Sequence, residues 1–181
     1  MPSWAAIARR IRVPIGFVFA VVYFWIAKPT PSSIIIGTII VVCGLLIRAL
    51  ASGYVQKNKE LTTSGPYAHS RNPLYVGSLV LAAGFAWAAQ SWWIVASILL
   101  IFFLIYVPVV RDEEEFLRKQ FPEFEAYARQ VPRFIPRLTP FSSAPSAFSW
   151  HLYLKHREYN AMIGSIAMLL VLVIKMCCLP R

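Results

Sequence analysis

Residues 74–110 read LYVGSLVLAAGFAWAAQSWWIVASILLIFFLIYVPVV, and no side chain in this stretch is charged. It divides into two apolar runs, residues 74–89 and 92–110, joined by Gln90-Ser91. Each run approaches the ~20 residues that cross a hydrocarbon layer ~30 Å thick. In lipid, only a helix satisfies every backbone polar group inside one such segment. The stretch therefore predicts a tight helical hairpin in a membrane. Trp87, Trp92 and Trp93 gather at its turn, where an interfacial aromatic belt would lie.

Three further runs flank the hairpin: residues 13–27, 33–55 and 161–179. The first is short, but Arg12 and Lys28 bracket it and can snorkel to the interface. Arg48 alone interrupts the second, and Lys175 stands near the end of the last. The prediction is an all-α integral membrane protein of about five transmembrane helices, a single membrane domain over residues 1–181. Composition agrees: 58% of residues are hydrophobic, against about 45–50% in soluble domains. Lys28-Pro-Thr-Pro follows the first run in place of a small-x-small cleavage site, so this helix is expected to stay uncleaved.

Cations set the expected orientation. With a cytoplasmic N-terminus, the inner segments carry Arg9, Arg10, Arg12, Lys57, Lys59, Arg71, Arg111, Arg118, Lys119, Arg129, Arg133, Arg137, Lys155 and Arg157. The outer segments carry Lys28 and Arg181. The positive-inside rule then puts the N-terminus in the cytoplasm and the C-terminus outside. The net charge of +10 reads as topology plus attraction to anionic headgroups. Nucleic-acid binding is not expected, because no soluble basic domain exists to carry it.

Several chemistries are excluded by pattern. The chain has no G-x-G-x-x-G, no Walker A sequence and no G-x-S-x-G. His69, His151 and His156 show no i, i+4 pairing, and no Cys/His cluster has zinc spacing, so no metal is expected. Cys43, Cys177 and Cys178 read as small packing residues.

The specific polar residues fall in two stretches, residues 56–77 and 111–137, at the two ends of the hairpin. A closed hairpin brings them together into one site on the cytoplasmic face. In the first stretch Gly65-Pro66 signals a turn. Pro73 forces Asn72 out of helical geometry and suits the first turn of a helix. Arg71, Asn72 and that helix start would face an anion, and Tyr67 and Tyr75 offer aromatic faces. The plainer alternative is an interfacial loop with Tyr anchors.

In the second stretch, Asp112-Glu113-Glu114-Glu115 is the chain's only acidic run. It directly continues the fourth run, which weakens the plainer alternative of a helix start whose acids complement the macrodipole. Leu117, Phe121 and Phe124 share a face, which reads as an amphipathic helix on the membrane or over the site, interrupted at Pro122. Arg48 is either snorkelling or a counter-ion for an acceptor's anionic headgroup or for the acids. Lys175 reads as snorkelling to the outer interface.

Ser64-Gly65-Pro66-Tyr67, followed by Arg71-Asn72-Pro73-Leu74-Tyr75-Val76-Gly77, resembles the Gly-Pro-Tyr…Arg-(His/Asn)-Pro-x-Tyr-x-Gly motif of the isoprenylcysteine carboxyl methyltransferase family, a group similar to the membrane phospholipid methyltransferases. Glu113-Glu114-x-x-Leu117-x-x-x-Phe121 is similar to its paired-Glu segment, and Tyr127-x-x-x-Val131-Pro132-Arg133-Phe134-Ile135-Pro136 to its closing Val-Pro segment. The likeness covers residues 56–137, and residues 138–181, a loop and the fifth helix, lie outside it. Asn72 stands where eukaryotic members commonly have His, and Pro122 where Gly is usual.

The resemblance implies methyl transfer from S-adenosyl-L-methionine to a lipophilic acceptor in the bilayer. It implies that the site on the cytoplasmic face is a cofactor-binding cap of Tyr67, Arg71, Asn72, Pro73, Tyr75, Glu113 and Glu114, with Arg71 on the cofactor carboxylate and the acids on its ammonium or ribose hydroxyls. Arg48, Tyr127 and Arg133 are expected on the acceptor side. An ionised carboxylate acceptor needs no base, so the lack of an obvious His base favours an isoprenylcysteine-type carboxylate. A phospholipid amine is the alternative, and a non-enzymatic scaffold or small transporter is a third class.

Overall fold

The computed structural model describes residues 4–56, 60–141 and 147–178. Lys57, Lys59 and Arg181 of the charge argument, and the last residue of the run ending at 179, lie outside the described residues, as do the side chains of Arg9 and Arg12. Every regular element described is helical: α1 (Trp4–Ile26), α2 (Pro31–Tyr54), a 3-10 turn (Gly65–Ala68), α3 (Pro73–Ala89), α4 (Trp92–Gln120), α5 (Phe124–Gln130), α6 (Trp150–Lys155) and α7 (Tyr159–Cys178). Three of these, α2, α4 and α7, are long and apolar enough to cross a membrane. The other two expected runs give shorter apolar helices, Pro14–Ile26 within α1 and Pro73–Ala89. Large apolar side chains such as Phe17, Ile35, Trp92, Phe103 and Ile163 are exposed, as a chain dissolved in lipid requires. The chain is an integral membrane protein.

Local chemistry explains the boundaries. Thr30 and Ser33 cap α2 reciprocally: the Ser33 N–H donates to Thr30 Oγ1 (3.1 Å) and the Thr30 N–H to Ser33 Oγ (2.9 Å), with Pro31 at the first helical position. The hairpin turn is as tight as expected. Gln90 takes a left-handed φ of 49°, and α4 begins two residues later. α4 contains one π-helical turn, Phe102–Tyr106, just before Pro108. Proline has no N–H for the carbonyl four residues back, which is that of Leu104. The Trp4 indole donates to this carbonyl at 2.9 Å.

The chain divides into two units, Met1–Val41, Ala82–Glu115 and Ile166–Arg181 in the first and Val42–Leu81 and Phe116–Ser165 in the second. The core of the first is Tyr23, Ala27, Ile34, Ala88, Ala89, Ile94 and Leu172. Here α2 meets α3 backbone to backbone. A Cβ on Gly37 would stand 2.7 Å from the Gly84 carbonyl, and one on Gly84 2.8 Å from that of Gly37. Such small-residue contacts substitute in lipid for the missing hydrophobic drive between helices.

Helix ends in this unit are closed by other segments. The Lys28 N–H reaches the Ala89 carbonyl (2.8 Å) and the Ser33 hydroxyl that of Ala88 (3.1 Å). The Lys175 ammonium donates to the carbonyls of Phe24, Trp25 (3.1 Å) and Ala27 (2.8 Å) at the end of α1, beside Lys28, and so closes a helix end that lacks intrahelical partners. Lys175→Met is expected to lower stability by about 1–2 kcal/mol, the scale of a cation at a partly buried helix C-terminus. A thermal-unfolding midpoint in detergent equal to that of the parent protein would refute the cap.

In the second unit Gly44 and Gly77 repeat the close approach, with a Cβ on Gly44 falling 2.6 Å from the Leu81 nitrogen. The end of α2 is also closed from outside. The Ser149 N–H donates to the Gly53 carbonyl (3.0 Å), and His156 Nδ1–H to that of Ser52 (3.2 Å). The Phe148 ring fills the space that a Cβ on Gly53 would take. Leu117 and Phe121 pack with Phe124, Tyr127 and Val131, together with Leu61 and Phe141. The predicted amphipathic face is thus spent on a core within the chain, and Pro122 lies in the break between α4 and α5.

Candidate functional site

The turn at residues 64–72 and the returning segment at 131–141 converge, as the hairpin argument expected. Gly65 adopts φ +57°, and a Cβ there would strike the Tyr54 ring at 2.6 Å. The main chains then knit together. The Arg71 N–H donates to the Pro132 carbonyl (3.0 Å), the Arg137 N–H to that of His69 (2.9 Å), and the Phe141 N–H to that of Ala68 (2.9 Å). Side chains reinforce this. Ser70 Oγ lies 3.2 Å from the Arg133 carbonyl and 3.3 Å from that of Phe134, and Asn72 Nδ2 donates to the Arg133 carbonyl at 3.3 Å. From α5, the buried Tyr127 hydroxyl donates to the Tyr67 carbonyl (2.7 Å).

Asn72 precedes Pro73, as read from the sequence, and its carbonyl accepts the first N–H groups of α3, those of Tyr75 and Val76 (3.0 Å each). Pro73 has no N–H, so the helix start offers fewer free amides to an anion than expected. Tyr67 and Asn72 are buried, while Arg71, Tyr75 and Arg133 are half-buried. The second unit therefore assembles Tyr67, Arg71, Asn72, Tyr127 and Arg133 around one turn.

Glu113 and Glu114 stand on α4, in the first unit. Glu114 is 3% exposed and Glu113 is half-buried, so the inward-facing acid is Glu114. α4 runs unbroken past both, as the acidic run following the fourth span required.

Arg48 has a partner that the sequence reading did not find. Its Nη2 meets both Glu158 oxygens (2.8 and 2.9 Å) and its Nε meets Oε2 (3.1 Å). Nη1 donates to the Ser78 hydroxyl, which in turn donates to the Leu74 carbonyl (2.9 Å). This fork is neither snorkelling nor bonded to the acidic run. Glu158 could have been picked out as the lone acid of the C-terminal 50 residues, next to the last apolar run. His69 was also passed over. Its Nδ1 lies 2.8 Å from the Arg137 carbonyl. Among the described residues, no group of three or more His, Cys, Asp or Glu side chains is arranged to hold a metal ion.

Fold and motifs together define a multi-pass helical membrane protein in which the motif segments at residues 64–72 and 131–137 are clamped together. Residues 32–123 match the family described as phospholipid methyltransferase, and the chain belongs to that family. It is 39% identical over 120 residues to the "Nickel-cobalt-cadmium resistance protein NccN" of Alcaligenes xylosoxydans xylosoxydans, covering 66% of this chain and 55% of the relative. It is 38% identical over 137 residues to the "Cobalt-zinc-cadmium resistance protein CzcN" of Cupriavidus metallidurans, covering 71% of this chain and 62% of the relative. The matched region thus spans little more than half the length of these relatives. No solved structure matches the chain.

Proposed function

We propose that the protein is an S-adenosylmethionine-dependent methyltransferase acting in the bilayer on a lipophilic acceptor. The observation that carries this reading is the clamp between residues 64–72 and 131–137, which are the motif segments of the family. The donor set suits the cofactor. Arg71 is a half-buried cation for its carboxylate, bidentate where the geometry allows. The motif assigns the acids to its ammonium or ribose hydroxyls, and Tyr67, Asn72, Pro73 and Tyr75 to the turn that receives it. When bound, the cofactor supplies an electrophilic methyl group. The chain's task is then alignment, which provides much of the rate of an in-line displacement. Arg133 serves the acceptor side, Tyr127 serves it by holding the turn through the Tyr67 carbonyl, and Arg48 serves it by fixing the start of α7 through Glu158.

The motif's closest likeness favours a carboxylate acceptor, whereas the matched family's description favours a phospholipid amine. The relatives' names add a second reading, in which methylation of a membrane component supports tolerance to divalent metals. Isothermal titration of the detergent-purified protein with S-adenosylhomocysteine tests the enzyme reading, and absence of binding would return it to a scaffold or transporter.

Adjacent residues on a helix diverge by about 100°, so the two acids do not share a task. Glu114→Gln is expected to weaken S-adenosylhomocysteine binding strongly and Glu113→Gln to cost less. Equal losses of stability with unchanged affinity would make the pair structural. The cation asymmetry supports a topology with the N-terminus and the clamp in the cytoplasm and the C-terminus outside. Lys28→Cys in a cysteine-free background is then expected to react with an impermeant maleimide added to intact cells. Reaction only after lysis would reverse the topology.

A further inference from the structure

His69 occupies the middle of the clamped turn, between Tyr67 and Arg71. Three hydrogen bonds hold it. Its N–H donates to the Pro66 carbonyl (3.2 Å), its carbonyl accepts from the Arg137 N–H (2.9 Å), and its Nδ1 faces the Arg137 carbonyl (2.8 Å). A carbonyl oxygen only accepts, so Nδ1 must carry the hydrogen. In the neutral ring the lone pair is then on Nε2. Among the described residues nothing bonds Nε2, and the ring is half-buried. The arrangement leaves one nitrogen as an anchor and the other as an oriented, uncommitted proton acceptor. The other two histidines lie elsewhere: His156 closes the end of α2, and His151 is exposed on α6.

We propose that His69 accepts the proton released in methyl transfer, and hence that the acceptor's nucleophilic atom carries a proton at neutral pH. This rests on the methyltransferase reading. Nε2 takes the proton from an amine nitrogen or a thiol sulfur. The lone pair left on that atom forms the bond to the methyl carbon, and the electron pair of the broken C–S bond leaves with the neutral thioether. The imidazolium then releases its proton to solvent. The charged groups on the segments hydrogen-bonded to this turn are Arg71 on the turn itself, Arg133 and Arg137 on the returning segment, and Arg129 and Glu125 on α5. Arg137 turns its guanidinium to the Gln130 carbonyl and the Thr139 hydroxyl, and Glu125 pairs with Arg118.

The test uses the full chain in nanodiscs and two substitutions. His69→Asn puts an amide nitrogen near the place of Nδ1 and so keeps the bond to Arg137, but it removes Nε2. His69→Gln moves the amide towards the place of Nε2. Ring-15N spectra of the three histidines, assigned by the missing signal in His69→Asn, are expected to show His69 protonated on Nδ1 at neutral pH. Protonation on Nε2 would overturn the proposal. With S-adenosylmethionine and either phosphatidylethanolamine or dodecanethiol, kcat/KM should rise through a pH-dependent limb. In His69→Asn that limb should move up to the higher pH at which the acceptor itself loses its proton, and the neutral-pH rate should fall roughly 100-fold, the lower range for general-base catalysis, while affinity for S-adenosylhomocysteine stays within about twofold. A retained limb and rate in His69→Asn would overturn it. So would a protein that binds cofactor yet methylates palmitic acid and neither protic probe. Failure of the unsubstituted protein to bind S-adenosylhomocysteine would instead overturn the methyltransferase reading itself.

Discussion

Arg48→Met is expected to cost about 2–4 kcal/mol of stability, at or somewhat below the usual range for breaking a buried ion pair by removing one partner. The reason is the group left behind. Glu158 is 12% exposed, and its carboxylate would keep no cation at the start of a membrane helix. The discount below the full penalty reflects Arg48, which is 23% exposed and so partly solvated. Glu158→Gln should cost less, because a neutral amide still accepts one hydrogen bond. The double substitution Arg48→Met with Glu158→Leu should recover most of the loss, since replacing both members of a buried pair by apolar groups is often neutral. Thermal unfolding of the four proteins in one detergent gives the coupling energy. Single variants each costing under about 1 kcal/mol, and adding, would show that the fork contributes nothing. S-adenosylhomocysteine affinity should be unchanged in folded Arg48→Met, and a large loss would move Arg48 into the cofactor site.

Arg71→Ala is expected to weaken S-adenosylhomocysteine binding by roughly 1.5–3 kcal/mol, the scale of a hydrogen bond to a charged group. That corresponds to a Kd roughly 10- to 150-fold higher. The main-chain bond from the Arg71 N–H to the Pro132 carbonyl survives in alanine and keeps the turn in place. Arg71→Lys should fall between, keeping the charge but losing the planar fork. Calorimetric titration beside an unfolding midpoint separates affinity from stability. Unchanged affinity in a folded Arg71→Ala protein would reject the assignment.

Local signals in the sequence were legible where one residue type dictates the backbone. Pro73 begins α3, Gln90-Ser91 turns the hairpin, Pro122 breaks the chain between α4 and α5, and the acids continue α4. That residues 64–72 would meet the closing part of the second polar stretch, residues 131–137, followed from the hairpin joining the two. Tertiary partners were not legible. Arg48 and Glu158 lie 110 positions apart and no period links them. The α1 carbonyls that Lys175 bonds carry no side-chain signature. The spacing of seven between Gly37 and Gly44, and again between Gly77 and Gly84, was present in the sequence. Only the observed approach of α2 to α3 gives it meaning. The Nδ1–H form of His69 depends on a carbonyl 68 positions away, which no local pattern encodes.

The Arg48–Glu158 fork also sets a timetable for biogenesis. Its acid is synthesised 110 residues after its guanidinium. At about 5–20 residues per second, the ribosome takes roughly 5–20 s to cover that distance. During this interval the guanidinium in the last two turns of α2 has no Glu158 to meet, and only water, headgroups or the Ser78 hydroxyl can receive it. A chain stalled between the two codons would therefore carry one more uncompensated cation than the finished protein.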